Sequence, residues 1–203
     1  MNIKTKRSYD FARDTLVAFG SHWFSVVMLT YIGLYALQTS FIFPFERAYF
    51  GELTSYASLM FLPHAVRVIA AWLIGPKAIL ALFPASLISM TFYGDISDKE
   101  LDFYFYCLLS SASGVIAFEF LKLMKMNIYP SGDKMSSWRN VLFSGCIASF
   151  INSLISINFT VAKLQETEIV EVIFRYIIGD FFGLLVSMFV LMIVFRYSKY
   201  SEK

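Results

Sequence analysis

Apolar side chains in this chain gather in long uninterrupted runs, and the charged residues fall in short clumps between them. Six runs stand out, at residues 23–42, 55–74, 77–92, 103–123, 141–157 and 170–194. Crossing about 30 Å of hydrocarbon takes about 20 helical residues at 1.5 Å each. The pattern therefore predicts an all-α fold, a polytopic membrane bundle of six transmembrane helices. The third run is short, contains Pro84 and follows Gly75-Pro76, so five full crossings with a kinked, tilted or re-entrant third segment is the competing count. Residues 1–20, with Tyr9, Phe11, Leu16 and Val17 among charges, read either as a short interfacial helix or as an early start of the first span. Residues 124–139 form the longest polar connection, and the whole chain reads as one membrane domain.

Charge placement orients the bundle. With six crossings, one side collects twelve of the seventeen basic residues, Lys77, Lys122, Lys125, Lys134, Arg139 and Lys199 among them. The other side holds Arg47, Lys99 and Lys163. Cytoplasmic loops accumulate Lys and Arg, so both termini are expected in the cytoplasm. Nine of the fifteen acids fall on the opposite side, including Asp95, Asp98, Glu100, Glu166, Glu168 and Glu171, which agrees with this orientation.

Composition sharpens the class. Of 203 residues, 58% are hydrophobic and 16% charged, and the mean hydropathy is +0.63, whereas soluble domains carry about 25% charged residues. A net charge of +2 provides no electrostatic footprint for a nucleic acid. Cys107 and Cys146 lie in apolar runs outside any CxxC, so buried free thiols are expected, with no metal and no cofactor. The basic N-terminus is interrupted by Asp10, Arg13 and Asp14 before any apolar stretch, so no signal peptide is expected. Membrane lipid is the first expected partner.

Apart from Lys77, Lys122 and Glu171 at the run ends, five histidine or charged side chains fall within the runs: His64, Arg67, Glu119, Arg175 and Asp180. Burying such a group in lipid costs at least about 2.5–3.5 kcal/mol, so these residues should face the bundle interior and find partners. His64 and Arg67 share a helix face at i, i+3, and Asp180 lies roughly 16 Å below the start of its span. An intramembrane Arg67–Asp180 pair is therefore expected, either as a functional site or as a clamp on helix register. His64, beside Pro63, is expected to bind a ligand or to cap a carbonyl freed by the proline. Glu119 with Lys122 reads as an interfacial pair. Arg175 lies about 9 Å below the start of its span, at the depth of Asn152 and Ser153. It either lines an outward cavity with Asn152 that could hold a small anion or snorkels to the headgroups. Gly179 and Gly183 form a GxxxG around Asp180 that permits close helix packing. No Ser–His, paired-Asp or HExxH arrangement occurs in the runs, so no catalytic residues are expected and the chain does not read as an enzyme.

Two stretches carry a resemblance. Phe61-Leu-Pro-His64, Ala70-Ala-Trp-Leu-Ile-Gly75 and Phe83-Pro-Ala-Ser-Leu87, together with Arg175-x-x-x-Gly179-Asp180-x-x-Gly183-Leu184, resemble the MASE-type membrane-associated sensor domains of bacterial signalling proteins. Arg67 stands where that family tends to have a small or apolar residue, and Ser187-Met-Phe-Val190 replaces its Pro-Leu-Leu stretch. The resemblance implies a sensor of the bacterial inner membrane active in signal transduction. With the sequence ending at Lys203, its signal is expected to leave through a separate signalling partner. The competing expectation is a small-solute carrier, or the substrate-binding subunit of a modular uptake transporter.

Overall fold

The computed structural model describes residues 22–50, 58–93, 101–126, 128–130, 138–160 and 166–201. The proposed interfacial segment 1–20 lies outside the described residues, as do Asp95, Asp98, Glu100, Lys134 and Lys163. Helix α1 (Trp23–Leu37) runs through a π-helical turn (Gln38–Ile42) into α2 (Phe43–Phe50). Non-helical residues 58–61 lead into α3 (Leu62–Ile74), and a 3-10 turn (Gly75–Lys77) and α4 (Ala78–Tyr93) follow. Then come α5 (Leu101–Leu123), α6 (Trp138–Thr160) and α7 (Glu166–Ser201). All described elements are helical. Among the described residues, five stretches are long and apolar enough to cross a membrane: Trp23–Phe50, Leu62–Tyr93, Leu101–Leu123, Trp138–Phe159 and Ile169–Tyr197.

The second of these stretches is folded back on itself. Thirty-two helical residues in line would measure about 48 Å. Yet the Phe61 ring, before α3, and the Tyr93 ring, ending α4, lie 6.2 and 6.4 Å from the Tyr35 ring. The reversal sits at Gly75, where φ +67° and ψ −147° place the backbone in a region open essentially to glycine, and Pro76 bars continuation of the helix. A Cβ at Gly75 would meet only Tyr129 at 3.9 Å, so the backbone conformation, rather than space, requires the glycine.

The helix of α3 begins at residue 62, whereas the sequence pattern starts its span at 55. Two polar side chains explain the difference. Glu46, 5% exposed on α2, accepts from the Leu59 N–H (3.1 Å), the Met60 N–H (3.1 Å) and the Ser58 hydroxyl (2.9 Å). The Gln38 side chain accepts from the Leu62 N–H at 3.2 Å and donates to the Ser58 hydroxyl at 2.9 Å. The Phe61 N–H donates to the Gly179 carbonyl at 2.8 Å. Backbone that would otherwise need helical bonds in lipid is thus satisfied by neighbouring helices. Pro63 in the first turn of α3 forfeits only an N–H that a helix start leaves free anyway.

This non-helical segment also shapes the glycine packing. Cβ atoms at Gly179 and Gly183 would collide with the carbonyl oxygens of Ser58 and Phe61. The GxxxG of α7 therefore seats the non-helical backbone of residues 58–61, where the sequence pattern suggested a second helix. The arrangement encloses α3, which packs against α1, α4, α5, α6 and α7. The buried residues are unusually small and polar, with Ala65, Ala71, Ala81, Ala85, Ala117 and Ala148 beside Ser86, Ser110, Ser113 and Ser153. Large apolar residues such as Phe105, Phe120, Phe150, Phe182 and Val190 point outward. A surface of this kind is stable against lipid and not against water.

Gly183→Ala should lower the stability of the purified chain in detergent by about 2 kcal/mol or more, because the new methyl meets backbone that cannot yield. Gly33→Ala, with nothing within 4 Å, should leave thermal denaturation unchanged or slightly improved.

Candidate functional site

At the centre of the bundle, side chains from α1, α3, α5, α6 and α7 converge in one polar network. Helix α3 supplies His64 and Arg67 one turn apart, both buried. The guanidinium of Arg67 donates from Nη2 to the Tyr31 hydroxyl at 2.8 Å and from Nη1 to Asn152 Oδ1 at 3.1 Å. It also lies 5.5 Å from the centroid of the Tyr31 ring and 5.7 Å from that of Phe61, two cation–π contacts in a desolvated setting. Ser110 donates to the same Asn152 oxygen at 2.8 Å. The amide nitrogen of Asn152 donates to Asp180 Oδ2 at 3.4 Å. Arg is donor-only and an ionised carboxylate acceptor-only, so the Asn152 amide must point its oxygen at Arg67 and its nitrogen at Asp180.

The expected direct Arg67–Asp180 pair is corrected by this geometry: Asn152 stands between the two charges, and no ion pair joins them. The imidazole of His64 takes the place beside the carboxylate, with Nδ1 at 3.2 Å from Asp180 Oδ2. That approach lacks hydrogen-bond alignment, and Nδ1 has no partner. His64 Nε2 lies 3.2 Å from the Gly145 carbonyl of α6. The idea that His64 caps a carbonyl freed by Pro63 is corrected accordingly, since Pro63 opens α3 and frees none within it.

Arg175 lies elsewhere. Its Nε and Nη2 bond Glu171 Oε1 at 3.0 and 2.9 Å, an i, i+4 pair whose carboxylate is half exposed. Asn152 is buried among Arg67, Ser110 and Asp180, whereas Arg175 bonds Glu171. Open grooves occur away from the network. One of about 490 Å³ is lined by Thr39, Phe43, Pro44, Arg47, Ala48 and Tyr93, and a smaller one lies between Ile88 and Phe103; neither is lined by a residue of the network. Among the described residues no three His, Cys, Asp or Glu side chains converge as metal ligands would.

Sequence reasoning singled out His64, Arg67, Asn152 and Asp180 but missed Tyr31, Ser110, Gln38 and Glu46. Gln38 was the most visible of the four, as an amide inside an apolar run. Tyr31 was masked because tyrosine is ordinary in such runs. A second feature was also missed: a strap at the reversal. Helix α5 ends in a Schellman turn with Lys125 at φ 63°, which sends the chain toward Gly75. Ile128 then accepts from the Trp72 indole at 3.2 Å, and Tyr129 stacks on Phe118 and donates to Glu119 at 3.0 Å. Glu119 also pairs with Lys122 at 3.4 Å. Burial and the adjoining Glu119 carboxylate push the Tyr129 hydroxyl above its ordinary range, so it is a neutral donor.

Comparison with protein-family models, with curated proteins and with solved structures finds no match to this chain.

Arg67→Met should destabilise the chain by about 3–5 kcal/mol, since it strands Asp180 without its cation and removes the donor to the Tyr31 hydroxyl and one of the two donors to Asn152 Oδ1. Lys122→Met, which removes a half-exposed pair, should cost less than about 1 kcal/mol in the same denaturation assay.

Proposed function

We propose that this chain is a six-pass sensory module of a bacterial inner membrane, with both termini in the cytoplasm. In this reading it binds a small ligand or a membrane partner and passes its state to a separate signalling protein. The observation that carries the reading is the buried network, in which one change at Asn152, His64 or Asp180 is felt by five helices at once. Cores of this kind respond by switching between packings rather than by gradual deformation. The reversal at Gly75 supports the six-pass count, because it turns α4 back antiparallel to α3, as two separate passes would require. It also puts Lys77, Lys122 and Arg139 at one end, as the positive-inside rule requires. The strap at Tyr129 gives α3 a physical link to the basic cytoplasmic loop. The likeness of residues 61–87 and 175–184 to MASE-type sensor domains points the same way.

One observation favours a second reading, a small-solute carrier. The non-helical backbone at residues 58–61 packs against α7 and is held by the buried Glu46 carboxylate, an arrangement that resembles the broken helices where transporters bind substrate. Crosslinking in native membranes from Lys134 and Lys199, paired with uptake assays in proteoliposomes across organic anions and vitamins, separates the two. The sensor reading expects one recurrent protein partner and no uptake. Specific uptake with crosslinks only to lipid and to the chain itself would overturn it in favour of the carrier.

A further inference from the structure

We propose that His64 and Asp180 together form a proton-binding site at the core of the bundle, which takes up one proton between imidazole Nδ1 and carboxylate Oδ2. The proposal deepens the sensor reading by naming a ligand for the same network, and it rests on that reading only for its biological use. The hydrogen-bond inventory carries it. The Gly145 carbonyl can only accept, so the 3.2 Å contact fixes a hydrogen on Nε2 and leaves Nδ1 as the variable position of the ring. Nδ1 faces Asp180 Oδ2 at 3.2 Å, and neither Nδ1 nor Asp180 Oδ1 has a hydrogen-bond partner, although both residues are at most 1% exposed. Without a proton the gap sets a ring lone pair against a carboxylate oxygen. With one, a small rotation of the ring completes an N–H···O bond.

Charge arithmetic explains why the vacant state can persist. Beside the pair itself, the charged side chain of the network is Arg67, one turn from His64 on α3 and joined to Asp180 through Asn152. Titratable side chains on the helices packed around it include phenols and a thiol: Tyr31 and Tyr35 on α1, Tyr106 and Cys107 on α5, and Tyr176 on α7. Helix α4 contributes only Ser86 and Ser89, and α6 only Asn152, Ser149 and the thiol of Cys146. Arg67 and Asp180 therefore sum to zero when the site is empty, and the network carries one positive charge when it is filled. The vacant state is balanced in charge but short of a hydrogen bond, and the filled state is the reverse. Two states with opposite deficits are what a switchable element needs. The proton comes from bulk water and forms an N–H bond at Nδ1; no bond breaks in the protein and nothing is oxidised or reduced.

The test is nitrogen-15 NMR of histidine-labelled full-length chain in lipid nanodiscs, titrated between about pH 4 and pH 10. His22, at the N-cap of α1, gives a separate reference set of resonances. The expected result is a single step in which the His64 Nδ1 resonance shifts while Nε2 remains protonated. His64→Gln, whose amide can still donate to Gly145, should lose that step and keep the fold. A His64 spectrum constant over the whole range overturns the site, as does a step in which Nε2 is the nitrogen that loses its proton. Crosslinking from Lys134 and Lys199 on either side of the step separates this proposal from the one it deepens. A step with identical crosslinks keeps the proton site and sinks the sensor reading, whereas crosslinks without a step do the opposite.

Discussion

The amide of Asn152 is the contact on which the rest of the core depends. A guanidinium and a carboxylate buried in a lipid-embedded bundle must each be paired, and direct contact would lock them together. Here one neutral side chain serves both, its oxygen on Arg67 and its nitrogen on Asp180. That division leaves Asp180 free to meet a second base, His64, and ties α6 to both α3 and α7. An asparagine can do this because it presents a donor and an acceptor on one rigid plane. Neither Asp nor Leu at 152 could satisfy both neighbours.

The network also sets demands on the backbone around it. To bring His64 and Arg67 to mid-bundle, α3 must start deep, and the polypeptide before it must descend without helical hydrogen bonds. Glu46 and Gln38 supply acceptors for that descent, and Gly179 and Gly183 give it room on α7. The π-helical turn at residues 38–42 starts at Gln38 and precedes Glu46, and its widened turn changes which side chains of α1 and α2 face inward. Gly75 then returns the chain to the far end. Burial of small residues completes the design: with Gly114 against the Arg67 carbonyl and Ala71, the helices approach closely enough for short polar side chains to bridge them.

Much of the architecture is legible in the sequence, since lipid imposes long apolar runs that no soluble fold requires. The helix positions of α4, α5, α6 and α7 follow from those runs, and the turn at Gly75-Pro76 follows from backbone chemistry. The start of α3 is not legible, because its limits come from Glu46 and Gln38, whose effect depends on contacts across the bundle. The same distinction holds at the site. His64, Arg67, Asn152 and Asp180 stand out as polar residues in apolar surroundings, but which of them touch depends on helix rotation and crossing angle. Spacing alone favoured joining Arg67 to Asp180, since a direct ion pair is the simplest resolution of two buried charges. The intervening amide and the displacement of Arg175 toward Glu171 required coordinates.

The most direct test of this account is a double-mutant cycle between Arg67 and Asp180, using Arg67→Met and Asp180→Asn, measured for stability in the wild-type and Asn152→Leu backgrounds. Relay through the amide predicts a coupling above about 1 kcal/mol in the first background that falls toward zero in the second. An equal coupling in both backgrounds would mean that the two charges interact without Asn152, and would contradict the account.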